Sequence, residues 1–219
     1  MKFALAILAV VAVVAPLNAY KLPAVGDGAL AKELQDILDL VPINDVLAIT
    51  KAYLTKDKQF QDLISLVQSG ESQQLVKYIE ASKELKQLLR FIQKKGLDIY
   101  YLINKVNEGL RIPHILPLAD EDVEIRGGVD GFQADIANAI PVNAIMELFK
   151  FKLQHSQVVK DIYQEVIKPE NLKFFSSIVR NVHYINLEKQ AVRIGVNPNA
   201  FTSNYYIAVG VVAIKRYIH

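Results

Sequence analysis

A chain of 219 residues, 52% hydrophobic and 22% charged, has enough apolar mass for one large domain or two small ones and lacks the composition of a disordered chain. Its 25 basic and 23 acidic residues leave a net charge of +2, with no basic cluster beyond Lys94-Lys95, which argues against a nucleic-acid partner. Cysteine is absent, which excludes thiol catalysis, disulfides and Cys-ligated zinc, and there is no Asn-x-Ser/Thr sequon.

In chain order, Lys2 precedes an apolar run from Phe3 to Val14, with Pro16 near its end. A charged start and a short hydrophobic stretch predict a secretory signal over residues 1–19, cleaved after Ala19, although Leu17 is larger than the usual residue there. The rival reading is an uncleaved anchor, but the run falls short of the roughly 20 apolar residues a spanning helix needs. The first repeat is placed at 29–110. A helix is expected from about Ala29 to Leu40. After Pro42, Asn44 is the expected cap of a helix carrying Val46, Leu47, Ile49, Tyr53 and Leu54 at helical spacing. Phe60, Leu63, Ile64 and Val67 mark the next helix, which Ser69-Gly70 should end. Leu75, Val76, Tyr78 and Ile79 mark another, and Leu85, Leu88, Leu89, Phe91 and Ile92 a fourth. Gly96 follows where a left-handed residue closes a helix, because a residue without Cβ enters that conformation cheaply. A fifth helix starts near Asp98 and runs through Leu102 and Val106 to Gly109. Residues 111–131, with Pro113, Pro117, an acidic stretch from Asp120 to Glu124 and Gly127-Gly128, read as a linker. A second repeat occupies 132–204. The divergent apolar segment 205–219 suits a closing helix or a strand, with helix preferred. Alternation with period two is rare, so the expected fold is all-α.

The repeats emerge when the sequence is slid against itself by 99 positions. Asp36-Ile37 falls on Asp135-Ile136, Pro42 on Pro141, Asn44 on Asn143, Leu54 on Leu153, Glu71 on Glu170, Leu88 on Leu187 and Gly96 on Gly195. Apolar residues match apolar residues beside them: Val46 with Ile145, Leu63 with Ile162, Leu75 with Phe174. No gap is needed, so the chain reads as a duplication of about 100 residues per unit.

Catalytic and metal motifs are absent. His114, His155, His183 and His219 are scattered and form no His-Glu-x-x-His pattern, so polar contacts suit them better than ligation. There is no Gly-x-Ser-x-Gly elbow and no Walker loop. Gly127-Gly128-Val129-Asp130-Gly131 precedes a helix but follows an acidic linker rather than a strand, and reads as a turn. Asp120, Glu121 and Asp122 read as a solvated loop. Glu71 and Glu170 suit helix N-termini, where a negative charge contributes about 0.3–1 kcal/mol. No enzyme activity and no cofactor are expected.

The segments DLVPINDVLAITKAYLTKDKQFQDLI, KELKQLLRFIQKKGLDIYYLINKVNEGL and GGVDGFQADIANAIPVNAIMELFKFKL together resemble the insect allergen-related repeat family, which takes in cockroach midgut allergens, mosquito gut proteins and microvillar proteins. The resemblance covers about Leu34 to Val196. It implies an all-α capsule in which two repeats of five or six short helices enclose an apolar cavity, with secretion into the gut and fatty acids or phospholipids as ligands. The chain departs from the pattern at Ser156-Gln157-Val158-Val159, which lacks the aromatic of Asp57-Lys58-Gln59-Phe60, and at Gly195-Val196-Asn197-Pro198, where proline replaces a helix continuation. Apolar arcs agree with two-sided burial: Phe91, Leu88, Ile92, Leu85 and Leu89 span about 160° of their helix. A solid core satisfies the same periodicity; the resemblance favours the cavity.

On that reading, the first repeat lines the cavity with Ile49, Tyr53, Leu63, Val67, Leu75, Ile79, Leu88, Ile92 and Leu102. The second contributes Leu148, Ile162, Val166, Phe174 and Ile178. Burial of acyl chains would drive binding, with the glycine-rich linker as a candidate hinge. Two further hypotheses remain. One is a membrane-active or microvillar surface protein with transient membrane contact, suggested by Tyr205–Ile214. The other is a nitrile-specifier-like detoxification factor, for which no residue constellation speaks.

Overall fold

The computed structural model describes residues 21–111 and 123–198; for residues 106 and 109–111 only the backbone is described. The expected signal, most of the expected linker and the apolar C-terminal segment lie outside these residues. Eleven helices and no strand are found among the described residues: α1 Ala29–Leu38, α2 Ile43–Lys56, α3 Lys58–Val67, α4 Gly70–Ala81, α5 Lys83–Lys94, α6 Ile99–Arg111, α7 Gly128–Ala139, α8 Val142–His155, α9 Gln157–Val166, α10 Pro169–Ile178 and α11 Val182–Arg193. The protein is all-α. No helix among the described residues is long and apolar enough to cross a membrane.

The helices are short because the chain supplies a stop and a start every dozen residues. Asp57, Ser69 and Ser82 each accept a backbone N–H three residues ahead, so three successive helices begin on a side-chain cap. Asp57 and Ser82 are also the residues that terminate the preceding helices, in extended conformation. Pro169 opens α10 at a position whose N–H has no helical partner. Two expectations are corrected. Ser69-Gly70 does more than end a helix: Ser69 caps α4 and Gly70 is its first residue. Asn44 lies inside α2, which begins at Ile43 after Pro42, and no side chain caps that end. Proline's fixed φ starts the turn in its place.

The helix boundaries repeat with the sequence. Shifted by 99 residues, α2 coincides with α8, α3 with α9 and α5 with α11. Gly96 and Gly195, at equivalent positions, both take positive φ, 99° and 88°. Contacts between the two helix sets are reciprocated. The α2–α7 contact is matched by α8–α1, α3–α7 by α9–α1, α4–α11 by α10–α5, and α3–α11 by α9–α5. Exchanging the sets maps this packing onto itself, as an approximate two-fold axis would. Tyr78 and Ser177, themselves 99 residues apart, touch each other through their hydroxyls at 3.2 Å, which places them on that axis.

Three apolar clusters result. The largest joins Val46, Tyr53 and Phe60 to Phe132, Ile136 and Ile140. The other two are counterparts: Leu30, Ala31 and Leu97 in one, Val129, Ala191 and Val196 in the other. Each takes its flank from α9 or α3 of the opposite set, through Val158 and Ile162 or Leu63 and Leu66. Neither set therefore completes its core alone. The second set also begins earlier than Gly131-Phe132, since α7 starts at Gly128.

Candidate functional site

At one place where the sets meet, Tyr53 packs edge to face on Phe60 and Phe132, which are tilted against each other, with centroids 4.4 to 5.7 Å apart. Tyr53 is fully buried and donates its hydroxyl to Asp135 Oδ2 at 2.6 Å. Burial, and then the hydrogen bond to the Asp135 carboxylate, push its phenol well above the usual tyrosine range. Asp135 also meets Arg126 Nε at 3.1 Å. Tyr53 is thus a core side chain with a fixed polar handle.

The symmetry-related place is built from different chemistry. Lys152 stands at the position of Tyr53, Glu33 at that of Phe132 and Val159 at that of Phe60. Lys152 is 6% exposed, and its Nζ reaches Glu33 Oε2 at 2.5 Å and Asp36 Oδ2 at 2.6 Å. Asp36 is the counterpart of Asp135, so one conserved geometry gives its carboxylate a phenol in one half and an ammonium in the other. The Lys152 hydrogen bond holds the Glu33 carboxyl below its ordinary range, although burial acts the other way. Burial pushes the Lys152 ammonium down, but hydrogen bonds to Asp36 and Glu33 outweigh it and its pKa is raised.

The glycines at the start of α7 are held rather than hinged. Gly128 N donates to Asp57 Oδ2 at 2.5 Å, and Val129 N donates to Gln59 Oε1 at 2.8 Å. Gln59 in turn donates to the Ile194 carbonyl at 3.1 Å, tying α3 to both ends of the second set. A Cβ on Gly128 would stand 2.6 Å from Gln59 Oε1. These contacts fall on the glycine-rich stretch expected to serve as a hinge.

Of the residues expected to line a cavity, Tyr53, Leu88 and Phe174 are buried. Ile49 packs on the aromatic cluster, Leu63 on the Val129 cluster, and Ile92, Leu102 and Ile162 on the Leu30 cluster. These five, together with Val67, Leu75, Ile79, Leu148, Val166 and Ile178, are half-buried. The same holds along whole helices: α4 has no buried residue, α5 has Leu88 alone, α9 Val159 alone and α11 Ala191 alone. Apolar residues on several helices are therefore only partly withdrawn from solvent.

Among the described residues, surface grooves include the following three. One, of about 250 Å³, runs past Val67, Val76 and Asn107. Another, of about 480 Å³, lies beside the two-fold axis and is lined by Tyr78, Ser82, Glu84, Glu170, Lys173 and Phe174 among others. The third, of about 500 Å³, is bordered by Lys21, Asp27, Lys32 and Asp39. Across the axis, His183 Nδ1 contacts Glu71 Oε1 at 2.7 Å and Asn186 Nδ2 donates to the same oxygen at 3.1 Å, joining α11 to α4. The hydrogen bond to His183 lowers the Glu71 pKa. Glu71 lies in the first turn of α4 and Glu170 in that of α10, as expected for acidic residues near a helix dipole. No group of three metal-ligating side chains occurs among the described residues.

The molecule is therefore an all-α protein of short helices in two sets that bury their apolar faces against each other. It belongs to the family described as insect allergen related repeat, nitrile-specifier detoxification, which matches residues 29–202. The chain is also similar to Protein G12 of Anopheles gambiae, with 22% identity over 141 residues, covering 63% of this chain and 67% of that protein.

Proposed function

We propose that this protein is a secreted lipid carrier of the insect gut lumen, a duplicated helical capsule that holds the acyl chains of fatty acids or phospholipids between its two helix sets. It works by binding rather than catalysis, without a cofactor and without a nucleic-acid partner. One observation supports the reading: most apolar residues of α3, α4, α5, α9, α10 and α11 are half-buried rather than buried, and α4 has no buried residue. A close-packed core would bury more of them. Covering these residues with acyl chain would contribute about 0.8 kcal/mol per buried methylene. Family membership supports the same reading, and the N-terminal charged and apolar stretch supports secretion. Transient contact with a membrane would supply the lipid. Exposed Tyr100, Tyr101, Phe151 and Val182 are the apolar surface available for that contact. A nitrile-specifier role is named in the family's description, but no group of three metal-ligating side chains among the described residues favours it.

Native mass spectrometry of the purified protein tests the proposal, followed by organic extraction and lipid analysis. Acyl lipids released in stoichiometric amount are the expected result. A lipid-free mass that stays lipid-free after incubation with fatty acid and with phospholipid vesicles would overturn it.

A further inference from the structure

The approximate two-fold axis relates two seams: α4 against α11, and α10 against α5. In the first, Glu71 and His183 meet at 2.7 Å and close the seam. Their counterparts 99 residues away are Glu170 and Glu84, a pair of like charges in place of a hydrogen-bonded pair. Both line the 480 Å³ groove, and neither has a hydrogen-bond or salt-bridge partner within 4 Å among the described residues. Like charges across a seam repel, so this seam, although its helices are in contact, lacks the side-chain latch of its twin.

We propose that this groove is the mouth by which lipid enters and leaves, and that it receives an amphiphile with a zwitterionic head in preference to a free carboxylate. The proposal rests on the lipid-carrier reading. Glu84 and Glu170 supply negative charge for an ammonium, and the exposed Tyr78 ring stands beside them as a cation-binding face. Among the described residues, Lys173 is the one cation lining the groove, and it suits the phosphate next to that ammonium. Phe174, 6% exposed, forms an apolar floor for the first part of the chain. A fatty acid would bring its carboxylate against two carboxylates and one ammonium. The counterpart positions across the axis hold no such pair, so the preference belongs to this seam.

The experiment uses delipidated full-length protein incubated with phosphatidylcholine vesicles containing equimolar oleate at neutral pH, with bound lipids extracted and their ratio measured. Wild type is expected to enrich phosphatidylcholine over the vesicle composition. Glu84→Lys with Glu170→Lys should shift the bound ratio toward oleate by about tenfold, from several surface charge pairs of modest individual size. Glu84→His should instead restore a pair with Glu170 like that of His183 with Glu71, and slow uptake of both lipids several-fold. A circular dichroism spectrum and unfolding midpoint matching wild type exclude misfolding as the cause. If wild type takes up neither lipid, the carrier reading fails and the mouth with it. If wild type loads both but the charge-reversed protein binds them in the wild-type ratio, the mouth is overturned while lipid carriage stands.

Discussion

The Lys152 site makes a directional prediction, because its charges are unequally buried. Replacing Glu33 by Gln and Asp36 by Asn leaves an ammonium that is 6% exposed without a countercharge. Stranding a fully buried charge costs about 3–5 kcal/mol. Asp36 is 53% exposed and Glu33 27%, so part of each pair's strength is already screened, and the expected loss is about 2–4 kcal/mol. Lys152→Met is the opposite perturbation. It leaves two carboxylates that water can reach and fills the volume with a flexible apolar chain, for an expected change within about 1 kcal/mol of zero. Urea unfolding followed by circular dichroism at pH 7 gives both values. An equal loss in the two variants, or a greater one for Lys152→Met, would refute the reasoning. The pH dependence carries a second check. Glu33 has a folded pKa below its ordinary 4.5, so its contribution is present above that value and is lost as pH falls through the lower, folded one. Lys152 has a folded pKa above 10.5, so its contribution is present below that value and is lost as pH rises through the higher one. Lys152→Met should flatten the stability profile at both extremes relative to wild type.

Three other outcomes follow from the packing. Tyr53→Phe removes the phenol that Asp135 accepts from and should cost about 1–2 kcal/mol in urea unfolding, with the helix content unchanged. Phe60→Ala empties the centre of the aromatic cluster and should cost about 3–5 kcal/mol, while its counterpart Val159→Ala should cost less in the same assay, since less volume is lost. Gly96→Ala should destabilise more than Gly195→Ala: both sit at positive φ, but a Cβ on Gly96 meets the Ala29 backbone nitrogen at 2.6 Å, whereas one on Gly195 meets a side-chain atom, Gln59 Nε2, at 2.7 Å, which can shift at the cost of its hydrogen bonds. Equal melting temperatures for the two alanine variants would contradict this.

Local pattern was sufficient for much of the architecture. Spacing of Phe60, Leu63, Ile64 and Val67, and of Leu85, Leu88, Leu89 and Ile92, locates α3 and α5, because helix formation is governed by periodic apolar residues and by caps a few residues away. Gly96 and Gly195 were legible as left-handed helix ends for the same reason. The 99-residue shift, found in the letters, recurs in the helix boundaries. Where such signals were weaker, as at Pro42-Ile43-Asn44, the cap was misplaced by two residues.

What sequence alone determined, then, was the helical class, the repeat and the family; what tertiary structure decided was which helices meet. Periodicity gives a helix its apolar face but says nothing about the face opposite. That α1 leans on α8 and α9, and α7 on α2 and α3, is a long-range fact. So is the exchange of Tyr53, Phe132 and Phe60 for Lys152, Glu33 and Val159 at symmetry-related places. Along the chain, no spacing or motif singles out Lys152 or Glu33. Only their approach across 119 residues makes them a buried ion pair, because a charge enters an apolar interior when a partner compensates its lost hydration, and sequence spacing does not bring distant partners together.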